Sequence, residues 1–230
     1  MDPIALFRSN WQTYQKIVEH NYMFHDELFS ACHQLIKGIH KPLTILDLGC
    51  GDASLTKQLL TNTKIERYIA CDLSENALEL AKENLEFLGN LAKVNCIDML
   101  EQLRLTPDQS IDLVFSSYAV HHLSDTDKAI LFTECKRILK PLGYVVLIDV
   151  MRNNLQERAI YLKEYLGAVE SEWKAINPDE FDRIAEHVVA NDFPLSPSEY
   201  EGLAFQAGLK NISRLDAHGF HQAWAYQYLG

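Results

Sequence analysis

Apolar residues recur along this chain with two alternating periods. Short runs rich in isoleucine, valine and leucine predict strands, and they lie at 44–48, 67–71, 92–96, 111–116 and 144–150. Segments with apolar residues every three or four positions lie between the runs and predict helices, at about 54–61, 75–88 and 126–140. Strands that alternate with helices in this way form a parallel sheet with helices on both faces. The pattern therefore predicts an α/β fold.

The pattern changes after the fifth apolar run. Residues 152–207 predict helices separated by loops, and Ser196 followed by Pro197 is typical of the start of a helix. Residues 210–228 predict two strands joined as a closing hairpin, and the first forty residues predict one or two amphipathic helices. We interpret the whole chain as a single domain, because its 230 residues fit one domain of ordinary size and contain no repeat or low-complexity tract.

The charge balance narrows the classes of partner. A formal net charge of −11 argues against broad binding to nucleic acid or to an anionic membrane, since both need a basic surface. No apolar run approaches the length of a membrane span, and the first residues lack the pattern of a secretory signal. The five cysteines are scattered without a CxxC pair, which is typical of reduced thiols. We therefore predict a cytoplasmic protein with no membrane partner and no preference for nucleic acid.

The first predicted strand runs into a glycine-containing turn. Asp47 lies near the end of the strand, and Gly49 and Gly51 follow it. Glycines let the backbone take positive φ and let a ligand approach without a Cβ in the way. Asp47 would repel a pyrophosphate but attract an ammonium or sulfonium group, so the loop indicates S-adenosylmethionine rather than a dinucleotide. An ordinary strand-turn-helix with incidental glycines is the alternative.

Two more acidic residues follow later strands. Asp72 ends the second run, where a carboxylate can accept both hydroxyls of a ribose. Its alternative role is to cap the next helix, although Ser74 is better placed to do so. Asp98 follows the third run, and a polar loop residue without function is an equally good interpretation of that aspartate alone.

These motifs, in this order, resemble the class I S-adenosylmethionine-dependent methyltransferases over nearly the whole chain. The resemblance implies a Rossmann-like seven-stranded sheet of order 3-2-1-4-5-7-6 with strand 7 antiparallel, helices on both faces and a helical cover. It implies S-adenosyl-L-methionine as cofactor and S-adenosyl-L-homocysteine as product. It divides the domain into an N-terminal helical cover at 1–40, a cofactor-binding core at 41–151, a helical insert over the substrate pocket at 152–207 and a closing hairpin at 208–230.

The resemblance also assigns cofactor contacts. The glycine loop would run under the methionyl group, the second acidic residue would hold the ribose with a leucine packed on the adenine, and the third would accept from the adenine amine. The end of the fourth strand would lie beside the transferable methyl. The residues at these positions are Asp47, Gly49, Cys50, Gly51, Asp72, Leu73, Asp98, Met99 and Ser116. Ala53 stands where many relatives have a third glycine.

The end of the fourth strand narrows the subclass. Relatives that methylate nucleobases or protein glutamine often carry Asn/Asp-Pro-Pro-aromatic there, whereas this chain has Ser116-Ser117-Tyr118-Ala119. Metal-dependent relatives of the catechol type place a carboxylate ligand at this point. Because a serine stands there instead, we predict no metal.

A catalytic base is the residue that is hardest to predict from such a sequence. His121 and His122 follow the fourth strand, and His121 is the candidate general base because histidine titrates near neutral pH. A structural or cofactor-side role is the alternative. The predicted substrate pocket takes residues from the cover, the insert, the hairpin and the strand-4 loop, namely Tyr14, Tyr22, Tyr118, His187 and His221.

The sequence thus predicts metal-independent methyl transfer to O or N of a small-molecule acceptor, driven by positioning and desolvation. A tRNA or protein methyltransferase and a non-catalytic S-adenosylmethionine-binding subunit remain as alternatives. A nicotinamide dehydrogenase is rejected, because Ser54 stands where its third glycine would be. The excess of acidic over basic residues in 152–207 favours a neutral or cationic acceptor, and a solvated acidic face explains it equally well.

Overall fold

The computed structural model describes residues 11–230, with side chains described from residue 13 onward. Residues 1–10 of the predicted N-terminal cover lie outside this range. Within it, no helix is long and apolar enough to cross a membrane.

The sheet has the predicted seven strands and the predicted order. In chain order they are β1 Leu43–Leu48, β2 Ile65–Asp72, β3 Ala92–Cys96, β4 Ile111–Ser117, β5 Leu139–Val150, β6 Lys210–His218 and β7 His221–Gln227. Their order across the sheet is β3-β2-β1-β4-β5-β7-β6. The first five strands are parallel, and β7 is antiparallel to both β5 and β6. The predicted α/β fold with a seven-stranded sheet of this order is confirmed.

Nine helices flank or cover this sheet in the described part of the chain. They are α1 Trp11–Glu19, α2 His25–Lys37, α3 Thr56–Leu60, α4 Glu75–Asn84, α5 Met99–Leu105, α6 Asp125–Ile138, α7 Arg158–Glu172, α8 Pro178–Asn191 and α9 Pro197–Ala207. Two predicted helix ends are too late. A 3₁₀ turn at Glu86–Leu91, which contains Gly89 at φ 54°, replaces the end of the helix predicted at 75–88. Leu139 pairs with Ile111 and so already belongs to β5.

Capping residues begin the helices of the insert. Ser196 and Glu199 form a reciprocal capping box with Pro197 at the first helical position, as the sequence pattern predicts. Asn177 and Glu180 form a second capping box at the start of α8. Each cap satisfies backbone N–H groups that a helix start leaves without partners, so both helix starts are specified locally.

Apolar layers cover both faces of the sheet. One layer packs α5, α6 and α9 on the sheet and includes the fully buried Leu103 and Phe132. The opposite layer packs α2, α3 and α4 and includes the fully buried Leu28 and Leu59. Burying one such side chain stabilises the fold by about 1.5–3 kcal/mol, so both layers hold the strand ends in fixed positions.

A third apolar cluster joins the first helix to the insert. It contains Ile17 of α1, Tyr165 of α7 and Val188 of α8. At the surface, Lys16 Nζ lies 2.6 Å from Glu180 Oε1 and links α1 to α8. Helices α1, α7 and α8 therefore pack together as one cover beside the sheet.

Candidate functional site

A cavity of about 540 Å³ lies between the carboxyl ends of the parallel strands and the cover. Ligands of open α/β sheets bind at this edge, and the volume falls within the range of small-molecule sites. We call the part lined by residues 47–56, 71–74 and 97–99 the strand-end half. The part lined by α1, α2, α7, α8 and the loop after β4 is the cover half.

The glycine loop needs its glycines for two reasons. Gly49 and Gly51 have φ of +71° and +53°, in the left-handed region that side chains disfavour. A Cβ on Gly49 would also lie 2.5 Å from the Cβ of Ala119. Ala53 takes a φ of +53° although it carries a Cβ. The loop therefore presents its backbone to the strand-end half of the cavity.

Asp47 is a buried acid in this half. Its carboxylate accepts a hydrogen bond from the Tyr68 hydroxyl, which lies 3.2 Å from the hydroxyl of Thr56. Burial raises the pKa of Asp47 to about 7, and the nearby Asp72 adds to the rise while the Tyr68 bond opposes it. Within residues 13–230, Asp47 has no ion-pair partner. A cationic group of a ligand would supply the missing counter-charge.

Asp72 lies at the end of β2, on the rim of the same half. Its Oδ2 accepts from the Gly51 amide at 3.0 Å, and its Oδ1 accepts from the Ser74 amide at 2.8 Å. Ser74, and not Asp72, caps α4 by accepting from Ala77. A carboxylate oxygen has two lone pairs, so each oxygen retains one for a ligand. Burial raises the pKa of Asp72.

The third acidic residue has a structural role that the sequence left open. Asp98 caps α5, and its Oδ1 accepts from Leu100 at 2.8 Å and from Glu101 at 3.1 Å. It also lines the cavity together with Leu73 and Met99. Leu73 is 44% exposed at this edge, which leaves an apolar surface free for a flat ligand group.

Ser116 lies outside the cavity lining, which corrects its predicted place beside the cofactor. Its hydroxyl is buried and donates to the Leu48 carbonyl at 2.7 Å. Successive side chains of a strand point to opposite faces, and Ser117 is the member of the pair that lines the cavity. The motif does form the end of β4, but the residue that faces the cavity is Ser117 and not Ser116.

Aromatic side chains dominate the cover half. Tyr14, Tyr118, Tyr165 and Trp173 line it, as does His25, which is 1% exposed. Tyr118 takes a φ of +52°, and its hydroxyl donates to the Met23 carbonyl of the cover. Burial lowers the pKa of His25 to about 4, so its ring is neutral near pH 7. These walls suit a planar or apolar acceptor.

Two predicted pocket residues lie outside the cavity lining. Tyr22 stacks on Trp173 with ring centroids 5.3 Å apart, and its hydroxyl accepts from the Ala175 amide at 2.7 Å. His221 is buried behind the wall, with its ring 5.8 Å from that of Tyr118. Burial lowers the pKa of His221 to about 3. Both residues support the wall of the cavity and do not line it.

His121 is held between two carboxylates. Its Nδ1 bonds to Asp149 Oδ1, and its Nε2 lies 3.7 Å from Asp192 Oδ1. Burial lowers the pKa of His121, but Asp149 and Asp192 together outweigh it, and the net shift is upward. Sequence reasoning missed both aspartates. Asp149 carried a signal, as a polar residue within the apolar fifth run.

Asp192 is the centre of a histidine cluster at one end of the cover half. His122 Nδ1 lies 3.3 Å from its Oδ1, and His187 Nε2 lies 3.8 Å from the same atom. That oxygen is buried and has no hydrogen-bond partner within the described residues. One ligand atom from each of His121, His122 and Asp192 lies within 4.8 Å of the others. Burial raises the pKa of Asp192, but the neighbouring histidines lower it by more, so the net shift is downward. His187, predicted for the pocket, does line it.

Comparison with known proteins adds a family to this geometry. Residues 45–143 match a family model described as a methyltransferase domain. The chain is 29% identical over 131 residues to a ubiquinone/menaquinone biosynthesis C-methyltransferase of Pseudoalteromonas translucida, covering 56% of this chain and 49% of that protein. It is 40% identical over 114 residues to a malonyl-[acyl-carrier protein] O-methyltransferase of Marinomonas, covering 49% and 40%. The chain spans at most about half the length of these curated relatives.

Solved structures share the fold. A putative sarcosine dimethylglycine methyltransferase from Galdieria sulphuraria superposes with a TM-score of 0.58 at 23% identity, over 80% of this chain and 62% of that one. A geranyl diphosphate C-methyltransferase from Streptomyces coelicolor, solved with Mg²⁺, geranyl diphosphate and S-adenosyl-L-homocysteine, gives 0.60 at 14%, over 86% and 78%. Residues 45–143 match a methyltransferase domain, and the strand order and the glycine loop around them are those of the class I S-adenosylmethionine-dependent methyltransferases.

Proposed function

We propose that this protein transfers the methyl group of S-adenosyl-L-methionine to an oxygen or nitrogen of a small-molecule acceptor. The observation that carries this proposal is the single cavity of about 540 Å³ that joins the strand-end half to the aromatic cover half. A donor in the first half and an acceptor in the second would meet near Ser117 and Tyr118 without crossing solvent.

The strand-end half has a group for each part of the cofactor. Asp47 would face the ammonium group, since it is a buried acid without a cationic partner in the described chain. Asp72 would accept from the ribose hydroxyls with the lone pairs that its backbone bonds leave free. Leu73 and Met99 would pack on the adenine, with Asp98 accepting from its amine. Gly49, Cys50 and Gly51 would lie under the methionyl chain.

The chemistry asks the protein chiefly for alignment. When bound, the cofactor supplies a sulfonium methyl that is already activated, and the electrons of the broken carbon–sulfur bond go to sulfur. The aromatic walls would hold the acceptor in line and displace water from it, and this alignment supplies most of the rate. This transfer needs no metal to activate the donor.

An acceptor that begins protonated must lose a proton. His121 is the proposed catalytic residue for that step, because its Nε2 faces the cover half while Asp149 holds its Nδ1. A carboxylate on Nδ1 orients an imidazole and stabilises its protonated form. The geometry of these two residues supports the role, and an acceptor without a proton to lose would not need it.

Several features favour a small acceptor over RNA or protein. The cover half is lined by aromatic side chains of α1, α7 and the loop after β4, and the chain carries a net charge of −11. The curated relatives described above include a carbon and an oxygen methyltransferase, so the family does not itself select the atom.

The test of the acceptor class uses methyl-labelled S-adenosylmethionine and a cell extract. We expect label in the small-molecule fraction before any digestion. Label that only nuclease or protease releases from macromolecules would replace this proposal with a tRNA or protein methyltransferase. Absence of any labelled product, together with measurable cofactor binding, would favour a non-catalytic cofactor-binding subunit.

The cofactor placement has its own test. Asp72→Ala should weaken S-adenosylmethionine binding by about 1–3 kcal/mol, because the ribose hydroxyls lose a partly buried acceptor. Asp182→Ala, on the exposed face of α8, is the matched control and should bind normally. Equal affinities of the two variants in calorimetry would exclude Asp72 from the site.

A further inference from the structure

We infer that His121, His122 and Asp192 form a binding site for a divalent transition-metal ion of the zinc class at the acceptor end of the cavity. Asp192 Oδ1 is the common point, with His122 Nδ1 at 3.3 Å and His121 Nε2 at 3.7 Å. The longer separation is outside hydrogen-bond range, and the shorter one is at its limit. Zinc bonds of about 2.0–2.1 Å in tetrahedral geometry place ligand atoms about 3.3–3.4 Å apart. The His122 separation already matches this value, and the three ligand atoms, which lie within 4.8 Å of one another, would draw closer together around an ion.

The carboxylate oxygen at this point gives a second, independent indication. Asp192 is only 4% exposed, and its Oδ1 has no hydrogen-bond partner within the described residues. A buried carboxylate oxygen without a partner is costly, and coordination to a cation is one of the few ways to offset that cost. The oxygen is aimed at the two histidines, so the cation would lie between them.

Outer contacts fit the same interpretation. Asp149 Oδ1 accepts from His121 Nδ1, which leaves Nε2 as the nitrogen with a lone pair for the ion. Ligating histidines usually donate their other nitrogen to a carboxylate in this way. Asp149 also accepts from the Val150 amide at 3.0 Å and from the Tyr200 hydroxyl at 3.4 Å, so it is itself held in place.

His187 belongs to the outer contacts as well. Its Nδ1 lies 3.2 Å from the Asn191 amide nitrogen, which also donates to the His187 carbonyl at 3.1 Å. This places the ring proton on Nε2, 3.8 Å from Asp192 Oδ1. His187 is therefore a positioning residue for the carboxylate. In this tautomer its Nε2 carries a proton and does not act as a metal ligand.

His122 must change its hydrogen bond to bind the ion. Its Nδ1 lies 3.2 Å from the Asn191 carbonyl, to which it donates when protonated. Metal binding requires a neutral nitrogen with a free lone pair, so the ion displaces this proton and the bond is lost. Imidazole and carboxylate donors together suit zinc and its neighbours in the first transition row better than magnesium or calcium.

This inference departs from the metal-free prediction and competes with one assigned role. The prediction rested on the serine at the end of β4, whereas this site is assembled by the insert, which brings Asp192 to the loop after β4. A metal on His121 Nε2 would occupy the nitrogen that a general base uses. The ion would then bind the acceptor directly and promote loss of its proton as a Lewis acid.

The experiment titrates cobalt(II) into the metal-free, tag-free full chain. Cobalt in a four- or five-coordinate nitrogen and oxygen site absorbs visible light far more strongly than hexa-aqua cobalt. We expect one equivalent to give this spectrum and zinc to abolish it by competition. Asp192→Asn and His122→Gln should each weaken cobalt binding more than the roughly 10–100-fold typical of outer contacts. His187→Gln should fall within that range.

His40→Gln is the matched control, since His40 is an exposed histidine outside the cluster. It should bind cobalt like the unaltered protein. Calorimetry of S-adenosylmethionine with the same samples checks that each variant is folded. Normal cofactor binding without a cobalt spectrum, or an unchanged spectrum in Asp192→Asn, overturns the metal site and leaves His121 as the proposed base. If the unaltered protein does not bind S-adenosylmethionine in this calorimetry, the result would instead contradict the proposed function.

Discussion

Asp47 combines a buried carboxyl with a tyrosine hydroxyl, and burial raises its pKa to about 7. Only the charged form attracts the ammonium group of the proposed cofactor. We expect S-adenosylmethionine affinity to increase as pH rises towards about 7, with a slope of up to about tenfold per pH unit on the acidic side. Calorimetry between about pH 5.5 and 7.5, where the α-amino group of the ligand is still mostly charged, measures this directly.

Asp47→Asn supplies the comparison. This variant should bind weakly and show a flat profile across the same range, because it has no proton to lose. A sloped profile in the variant would assign the pH dependence to another group.

The effect of pH on the stability of the ligand-free protein has the opposite sign, because an acid whose pKa is raised on folding binds its proton more tightly in the folded state. The contribution of Asp47 to stability therefore falls as pH rises towards 7.

Single residues also show where sequence reasoning stops. Asp47, Asp72 and Asp98 could be placed because each follows an apolar run, and strand ends meet at one edge of a parallel sheet. Ser116 was misplaced, because a strand's two faces cannot be told apart when both are buried. His221 and Tyr22 were misplaced because a buried aromatic and a pocket aromatic follow the same pattern.

At the scale of elements, the glycine loop is the most demanding junction. Gly49→Ala would place a Cβ 2.5 Å from that of Ala119 at a φ of +71°. The turn must shift to relieve this contact, and the shift would disturb the backbone under the methionyl chain. We expect at least about a tenfold loss of cofactor affinity and about 1–3 kcal/mol of lost stability, measured by calorimetry and by urea unfolding.

Gly167→Ala is the matched control for that change. Gly167 lies within α7, and a Cβ there meets nothing within 4 Å. Alanine in a helix interior is favoured over glycine by about 0.5–1 kcal/mol, so this variant should be slightly more stable and bind normally. Equal effects of the two substitutions would show that the loop tolerates a side chain.

Most of the strands and helices could be predicted from the sequence. All five parallel strands and the hairpin were predicted, because runs of β-branched residues bounded by turns have few alternatives. The ends of helices were less accurate. Leu139 and Lys140 continue the helical pattern of α6 but pair in β5, since tertiary hydrogen bonding overrides local periodicity at that junction.

At the scale of the whole molecule, one buried lysine ties the insert to the core. Lys128 of α6 is 0% exposed, and its Nζ donates to the carbonyls of Leu123 and Phe193 at 2.6 Å each. Lys128→Met would leave both carbonyls without this donor, at a cost of about 1–3 kcal/mol for each that water cannot reach. We expect lower stability and faster proteolysis within 153–196.

Lys163→Met, at an exposed position of α7, provides the reference for that experiment. Its stability and cleavage pattern should match those of the unaltered protein. If Lys128→Met is cleaved at the same rate, the other attachments of the insert, among them the Phe193 amide that donates to the His121 carbonyl at 2.8 Å, are sufficient to hold it. The histidine cluster around Asp192 depends on this same attachment, because Phe193 is its neighbour in the chain.

That attachment also explains which part of the site could not be predicted. The strand-end half is built from consecutive segments of a repeating pattern, so its residues can be placed from order alone. Asp192 meets His121 across 71 positions of chain, through the packing of α8 on the loop after β4. No periodicity in 152–207 encodes that contact, and only the folded cover reveals it.

The position of β7 sets the order of events during synthesis. This strand begins 71 positions after the end of β5, yet it lies between β5 and β6, and all seven of its residues are buried. Until it leaves the ribosome, β5 has an unpaired edge, and such edges recruit other chains. At about 5–20 residues per second, this edge stays open for several seconds after β5 is made. The nascent chain therefore depends on prompt completion of its sheet, or on a chaperone, to escape aggregation.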